Sequence, residues 1–198
     1  MAIAGGTMKV VLFDGSARPG GSITALLAGV AAELEAVGVE TEALRLERNP
    51  YTGCTVCGQC AHGRDLSCSH PPEDGLRRCV RKLLAADGLV IGSPAYSAKA
   101  SPAAQALMVR ASAARRAGGD RPLACKVAAA VVDTRSVGAG GTHGRLVEWF
   151  RANEMIVVGA DDRGRGTGAA TEGDGAGSDA FAARLGRCLA WTLRRLHA

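Results

Sequence analysis

Three short runs of the chain are apolar almost throughout: "VVLF" at 10–13, "LVI" at 89–91 and "VAAAVV" at 127–132. A strand with no polar side must be covered on both faces, and this is the condition of a parallel sheet sandwiched between helices. The intervening stretches have helical period. "SITALLAGVAAELEAVG" places Leu26, Leu27, Val30 and Leu34 on one face and ends at Gly38. "EDGLRRCVRKLLAADG", "SPAAQALMVRASAARRAGG", "THGRLVEWFRAN" and "SDAFAARLGRCLAWTLRRLHA" follow the same rule, with Ser101 as an N-cap and Pro102 in a first turn. "VETEALRL" alternates apolar with polar, which suits a strand near a sheet edge, and "MIVVGA" supplies the last strand. Five strands alternating with five helices predict an α/β fold: a doubly wound five-stranded parallel sheet in a three-layer α/β/α sandwich. Residues 1–198 are expected to form one domain, with a cysteine-rich insertion at 50–72 and a glycine-rich loop at 159–178.

A chain of 198 residues buries a sizeable core without metal or disulfide support. Its net charge of +5 comes mainly from scattered arginines with no aromatic interleaving, so nucleic acid is not expected as a partner. No run approaches the twenty or so apolar residues of a membrane span. The start "MAIAGGTMKVVLFDG" lacks the basic region of an export signal, which predicts a cytoplasmic location. In that setting an odd count of seven cysteines points to thiols or a metal site over a disulfide framework.

In an open parallel sheet the ligand lies beyond the carboxyl ends of the strands. The first such turn is "GSARPGGS", 15–22. It offers glycines for close approach, Gly20 among them, hydroxyls at Ser16, Ser22 and Thr24, the cation of Arg18, and the first helical turn through Ile23. These are the requirements of a phosphate monoester site. Neither the G-x-G-x-x-G of dinucleotide binders nor a nucleoside triphosphatase loop is present. The loop after the third strand, "GSPAYSAKAS", adds Tyr96 as a flat apolar face and Lys99 for an electron-rich ring edge. The loop after the fourth, "DTRSVGAGGTHG", adds amides at Gly138, Gly140 and Gly141. A phosphate cradle, a stacking platform and a row of donors on one edge match flavin mononucleotide (FMN).

The segment "CTVCGQCAHGRDLSC" places Cys54, Cys57, Cys60 and Cys68 at C-x2-C-x2-C-x7-C spacing. Three cysteines in successive x2 spacings can wrap a cubane, with Gly58 and Gly63 allowing tight turns, whereas structural zinc more often uses two separated C-x2-C knuckles. A [4Fe–4S] cluster, uncoordinated thiols and zinc all stay open on spacing, and the order favours iron–sulfur.

From "KVVLFDGSARPGGS" through "ADGLVIGSPAYSAKASPAAQALMVRA" to "KVAAAVVDTRSVGAGG" and "MIVVG", the chain resembles the flavodoxin-like NADPH-dependent FMN reductases, and within them the iron–sulfur flavoproteins. The resemblance implies FMN phosphate contacts at Ser16, Arg18, Ser22 and Thr24. It implies ribityl and ring contacts at Pro94, Ala95, Tyr96 and Ser97, and a glycine loop comprising Thr134, Arg135, Gly138, Gly140 and Gly141. It also implies four cluster cysteines, an NAD(P)H co-substrate or ferredoxin as electron donor, a small-molecule electron acceptor and a homodimer or homotetramer. The family's lysine and Asp-Arg pair after "GSPVY" are replaced here by Gln105 and "MVRA", leaving only Arg110. No residue is assigned a catalytic acid or base role, because the flavin carries the chemistry. A cluster-free flavin or quinone reductase and a zinc-holding module without turnover are the alternatives. Cys79, Cys125 and Cys188 are expected as buried thiols, Trp149 and Trp191 as core residues, His143 as a helix cap or flavin donor, and His62 and His70 as loop side chains.

Overall fold

The computed structural model describes residues 7–48, 51–59, 74–117, 121–133, 137–160 and 175–197. Its strands are β1 (Lys9–Asp14), β2 (Glu40–Arg45), β3 (Gly88–Ser93), β4 (Val127–Val132) and β5 (Ile156–Val157). Its helices are α1 (Ser22–Glu35), α2 (Gly75–Ala85), α3 (Pro102–Ala117), α4 (Ala139–Ala152) and α5 (Gly175–His197), with a 3-10 turn at Leu46–Arg48. All strand pairs are parallel, in the order β2-β1-β3-β4-β5. That order is the flavodoxin-like doubly wound sheet, whose connections reverse direction between β1 and β3.

The apolar runs do what two-sided burial demands. Val10 and Leu12 face one core with α1 and α5, while Val11 and Phe13 face the other with α2, α3 and α4. All four are fully buried, each contributing about 1.5–3 kcal/mol. β2 is an edge strand, as expected, and none of its six positions is fully buried: four are half-buried and two exposed. β5 is shorter than "MIVVGA" suggests, pairing only Ile156 and Val157 with Val127 and Ala128.

Some expectations are corrected. Trp191 lies on the outer face of α5, 63% exposed beneath the Arg195 guanidinium, because Leu189 and Leu193 take the face of that turn that enters the core. Trp149 is half-buried and donates its indole N–H to Ser112 Oγ at 2.8 Å. Cys125 is exposed in a left-handed turn ahead of β4, and Cys188 is half-covered. Cys79 is buried as expected, and burial pushes its thiol up to about 11. Residues 159 and 160 follow β5 and α5 begins at Gly175, so most of the glycine-rich loop at 159–178 lies outside the described residues. His62 and His70 also lie outside them. Among the described residues no helix is long and apolar enough to cross a membrane.

Candidate functional site

Three loops leave the carboxyl edge of the sheet side by side, and the β1–α1 loop is anchored first. Gly15 N–H donates to Gly92 O at 2.8 Å, tying the end of β1 to the end of β3. Gly15 packs so closely that a Cβ there would lie 2.7 Å from Ser101 Oγ. Beyond it the chain turns outward, with Ala17, Arg18, Pro19 and Gly20 exposed and Gly20 at φ +72°. Helix α1 then starts at Ser22 with no side-chain cap on Gly21, and its first helical bond is Ala25 N–H to Gly21 O. Amides of an uncapped first turn point outward with the positive end of the helix dipole. A Cβ on Gly20 would meet nothing, so the space over the loop is open. Of the sequence-predicted residues here, Ile23 offers only its main chain, since its side chain is in the core.

The hydroxyls of this loop take partners that the sequence reading did not anticipate. Asp14, 3% exposed at the end of β1, accepts from Ser16 N–H at 2.8 Å, from Ser16 Oγ and, through its other oxygen, from Thr24 Oγ1 at 2.6 Å. Ser22 Oγ donates to Asp133 Oδ2 at 2.9 Å, just past the end of β4. Arg45, at the end of β2, donates to Ala17 O at 3.3 Å and braces the loop from the neighbouring strand. The signal for these carboxylates was in the sequence: "VVLFDG" and "AAVVDT" each end an apolar strand in aspartate at the ligand edge.

The β3–α3 loop folds into a tight turn in which Tyr96 N–H donates to Lys99 O at 2.8 Å and Lys99 N–H donates to Tyr96 O at 3.0 Å. Ser97 and Ala98 both have positive φ, at +49° and +58°, in a turn that ordinarily takes glycine or asparagine. Such residues persist where surroundings over-determine them. Here buried Ser93 Oγ accepts from Ser101 N–H at 2.8 Å, closing the base of the loop. Gly138, at φ +86°, lies against Ala98 so closely that a Cβ would stand 2.6 Å from Ala98 Cβ. The clasp joins the second and third loops. Tyr96 is 48% exposed, Ser97 and Lys99 are exposed, and Pro94 and Ala95 lie beneath them. Gly140 and Gly141 are exposed in the first turn of α4, and Thr134 and Arg135 lie outside the described residues. His143 is half-buried in α4, where burial lowers its basicity.

The donor set fits FMN. A doubly charged phosphate suits an open glycine turn, uncapped helix amides and exposed Arg18, and a flat ring suits exposed Tyr96 beside the Gly138 clasp.

The cysteine segment starts from a buried charge pair. Asp74 caps α2 by accepting from Leu76 N–H at 3.0 Å and Arg77 N–H at 3.2 Å. It also accepts from Thr52 N–H at 3.0 Å and from Arg110 Nη1, which donates in addition to Thr52 O at 3.3 Å. Both side chains are at most 4% exposed. Burial pushes the Asp74 carboxyl up, but the Thr52 amide, the Arg110 guanidinium and the helix amides outweigh it and hold it below the ordinary carboxylate range. Arg110 thus supports the base of the cysteine segment. Beyond Thr52, Val56 N–H donates to Cys54 Sγ at 3.4 Å, with Val56 and Gly58 both left-handed between and beside the cysteines. Cys54 is half-buried and Cys57 exposed, while Cys60 and Cys68 lie outside the described residues.

A family model described as NADPH-dependent FMN reductase matches residues 8–167. An iron-sulfur flavoprotein of Methanocaldococcus jannaschii is 33% identical over 161 residues, 78% of this chain and 78% of that protein. One of Methanosarcina thermophila is 27% identical over 154 residues, 77% and 78% of the two chains. Among solved structures, RosB with bound 8-demethyl-8-formylriboflavin-5'-phosphate superposes with TM-score 0.70 at 18% identity, covering 96% of this chain and 80% of that one. A WrbA-like flavodoxin from Agrobacterium tumefaciens superposes with TM-score 0.64 at 16% identity, covering 96% and 99%. At those identities the two structures speak for the fold alone. The family match over residues 8–167, with the sheet order and loop geometry above, makes this chain a member of the NADPH-dependent FMN reductase family and a flavin-dependent oxidoreductase.

Proposed function

We propose that this chain passes electrons through FMN, and through a [4Fe–4S] cluster on Cys54, Cys57, Cys60 and Cys68, to a small acceptor. One observation carries the reading: the open phosphate loop, the Tyr96 turn and the base of the cysteine segment all emerge from the same edge of one sheet. Bound FMN supplies hydride and single-electron chemistry, and the chain's own residues position it. The first-turn amides of α1 and Arg18 would hold the phosphate, and Tyr96 with the amides around Gly138, Gly140 and Gly141 would hold the ring.

Support for the cluster comes from the described half of the cysteine segment. An amide donating to Cys54 Sγ fixes the position of that sulfur, and left-handed Val56 and Gly58 turn the chain back between sulfurs. Two relatives carry the words iron-sulfur flavoprotein in their names. The electron donor is NAD(P)H or ferredoxin, and the working unit is a homodimer or homotetramer.

The test is an absorption spectrum of anaerobically purified protein with iron, sulfide and zinc analysis. Flavin with about four irons per chain supports the reading. Flavin without iron reduces it to a hydride-driven flavin or quinone reductase, and zinc without flavin overturns it. Cys57→Ser is expected to lose the iron and keep the flavin. Arg18→Ala is expected to weaken FMN binding by about tenfold or more, the scale of one lost charge-assisted hydrogen bond.

A further inference from the structure

A phosphate loop is expected to turn its hydroxyls toward the ligand, yet here they turn inward. Asp14 is almost wholly buried beneath the loop, and its two oxygens take the Ser16 N–H, the Ser16 hydroxyl and the Thr24 hydroxyl. A hydroxyl has one proton to give. Once given to Asp14, it is not available to a phosphate oxygen. No lysine or arginine among the described residues pairs with Asp14, so its charge is balanced only by these dipoles. Among the described residues, the charged groups around the loop are Arg18 and Arg45, which attract a phosphate, and Asp14 and Asp133, which repel it.

We propose that Asp14 sets the loop's affinity for the phosphate end of the flavin. It withholds the Ser16 and Thr24 hydroxyls and places a fixed negative charge under the phosphate. The phosphate is then held by main-chain amides and Arg18, more loosely than the loop's sequence suggests. This rests on the FMN reading above. It revises the roles that the sequence implies for Ser16 and Thr24, which become braces of the loop and not phosphate donors.

Asp14→Asn isolates the effect. The asparagine oxygen keeps the Ser16 bonds, its NH2 donates to Thr24 Oγ1, and the Thr24 proton is released toward the ligand while one negative charge disappears. Equilibrium titration of the flavin-stripped full chain with FMN and with riboflavin, which lacks the phosphate, reads the result. FMN is expected to bind at least about tenfold tighter in Asp14→Asn while riboflavin changes by less than about threefold, since a gained bond to a charged group is of that size. An unchanged or weakened FMN preference overturns the proposal, as does equal tightening of both ligands. Should Asp14→Asn melt far below the wild type, Thr24→Val gives a second reading. Its preference for FMN over riboflavin is expected to stay within about threefold of wild type, and a loss of tenfold or more makes Thr24 a phosphate donor and overturns the proposal. Failure of the parent reading looks different: the wild type would bind riboflavin as well as FMN, and Arg18→Ala would leave both unchanged.

Discussion

The β1–α1 loop and the cysteine segment leave neighbouring strands of the same sheet edge, and they are held in different ways. The loop is short and braced at several points: Asp14 accepts from Ser16 and Thr24 within it, and neighbouring strands hold it through Gly15 to Gly92, Ser22 to Asp133 and Arg45 to Ala17. Among the described residues, the base of the cysteine segment is tied by a buried ion pair whose members are 36 residues apart, Asp74 and Arg110, both bonded to Thr52, with Tyr51 packed against the core. A loop braced at several points tolerates the loss of one of them, while a segment whose base rests on a buried charge pair depends on both of its partners.

The largest expected effect breaks the tie. Arg110→Ala leaves Asp74 buried without its counter-charge, and removal of one partner from such a pair costs about 3–5 kcal/mol. Denaturant unfolding checks the loss of stability. Iron content is expected to fall, while the FMN to riboflavin preference of the surviving folded protein is kept. A wild-type unfolding midpoint would show that the segment is held by something other than this pair.

Next is the clasp between the two ring-side loops. Gly138→Ala forces a left-handed alanine against Ala98, where a Cβ would stand 2.6 Å from its neighbour, and is expected to cost about 1–3 kcal/mol. Thermal melting reads the stability, and flavin titration is expected to show FMN and riboflavin weakened together. Weakening of FMN alone would place the clasp's influence at the phosphate.

Acid sharpens the comparison from the charge side. The Asp74 carboxyl is held below its ordinary value, so its contribution is complete above the unfolded value of about 3.9 and lost as pH falls through the lower folded value. Stability of the wild type is therefore expected to drop below about pH 4 more steeply than that of Asp74→Asn, which starts lower but has no such group to protonate. Parallel acid limbs for the two proteins would remove Asp74 from the account.

The smallest effect is a control on β2. Glu42 reaches Lys82 at 2.9 Å and Lys9 at 3.4 Å near the surface, and the Lys82 hydrogen bond is the main reason its carboxyl is lowered. Glu42→Gln is expected to cost at most about 1 kcal/mol and to change neither flavin nor iron content. A larger effect would mean that the edge strand supports one of the two regions.

Much of this molecule is legible in local pattern. Uniformly apolar runs require two-sided burial, 3.6-residue spacing requires a covered helix face, and together they determine the layers, the strand identities and the edge where a ligand lies. The glycines and hydroxyls of 15–24 and the spacing of four cysteines point to chemistry for the same reason, since residue type and interval are properties of the chain itself. Which partner each polar group takes was decided by the tertiary structure. The Ser16 and Thr24 hydroxyls read as phosphate donors until the burial of Asp14 makes its carboxylate the acceptor that most needs them. Arg110 reads as the remnant of a family pair until α3 brings it onto Asp74 and Thr52. Gly138 reads as one amide in a row until Ala98 arrives against it. Periodicity survives in one dimension because backbone geometry is local, whereas the pairing of charges and hydroxyls depends on which groups packing removes from water together.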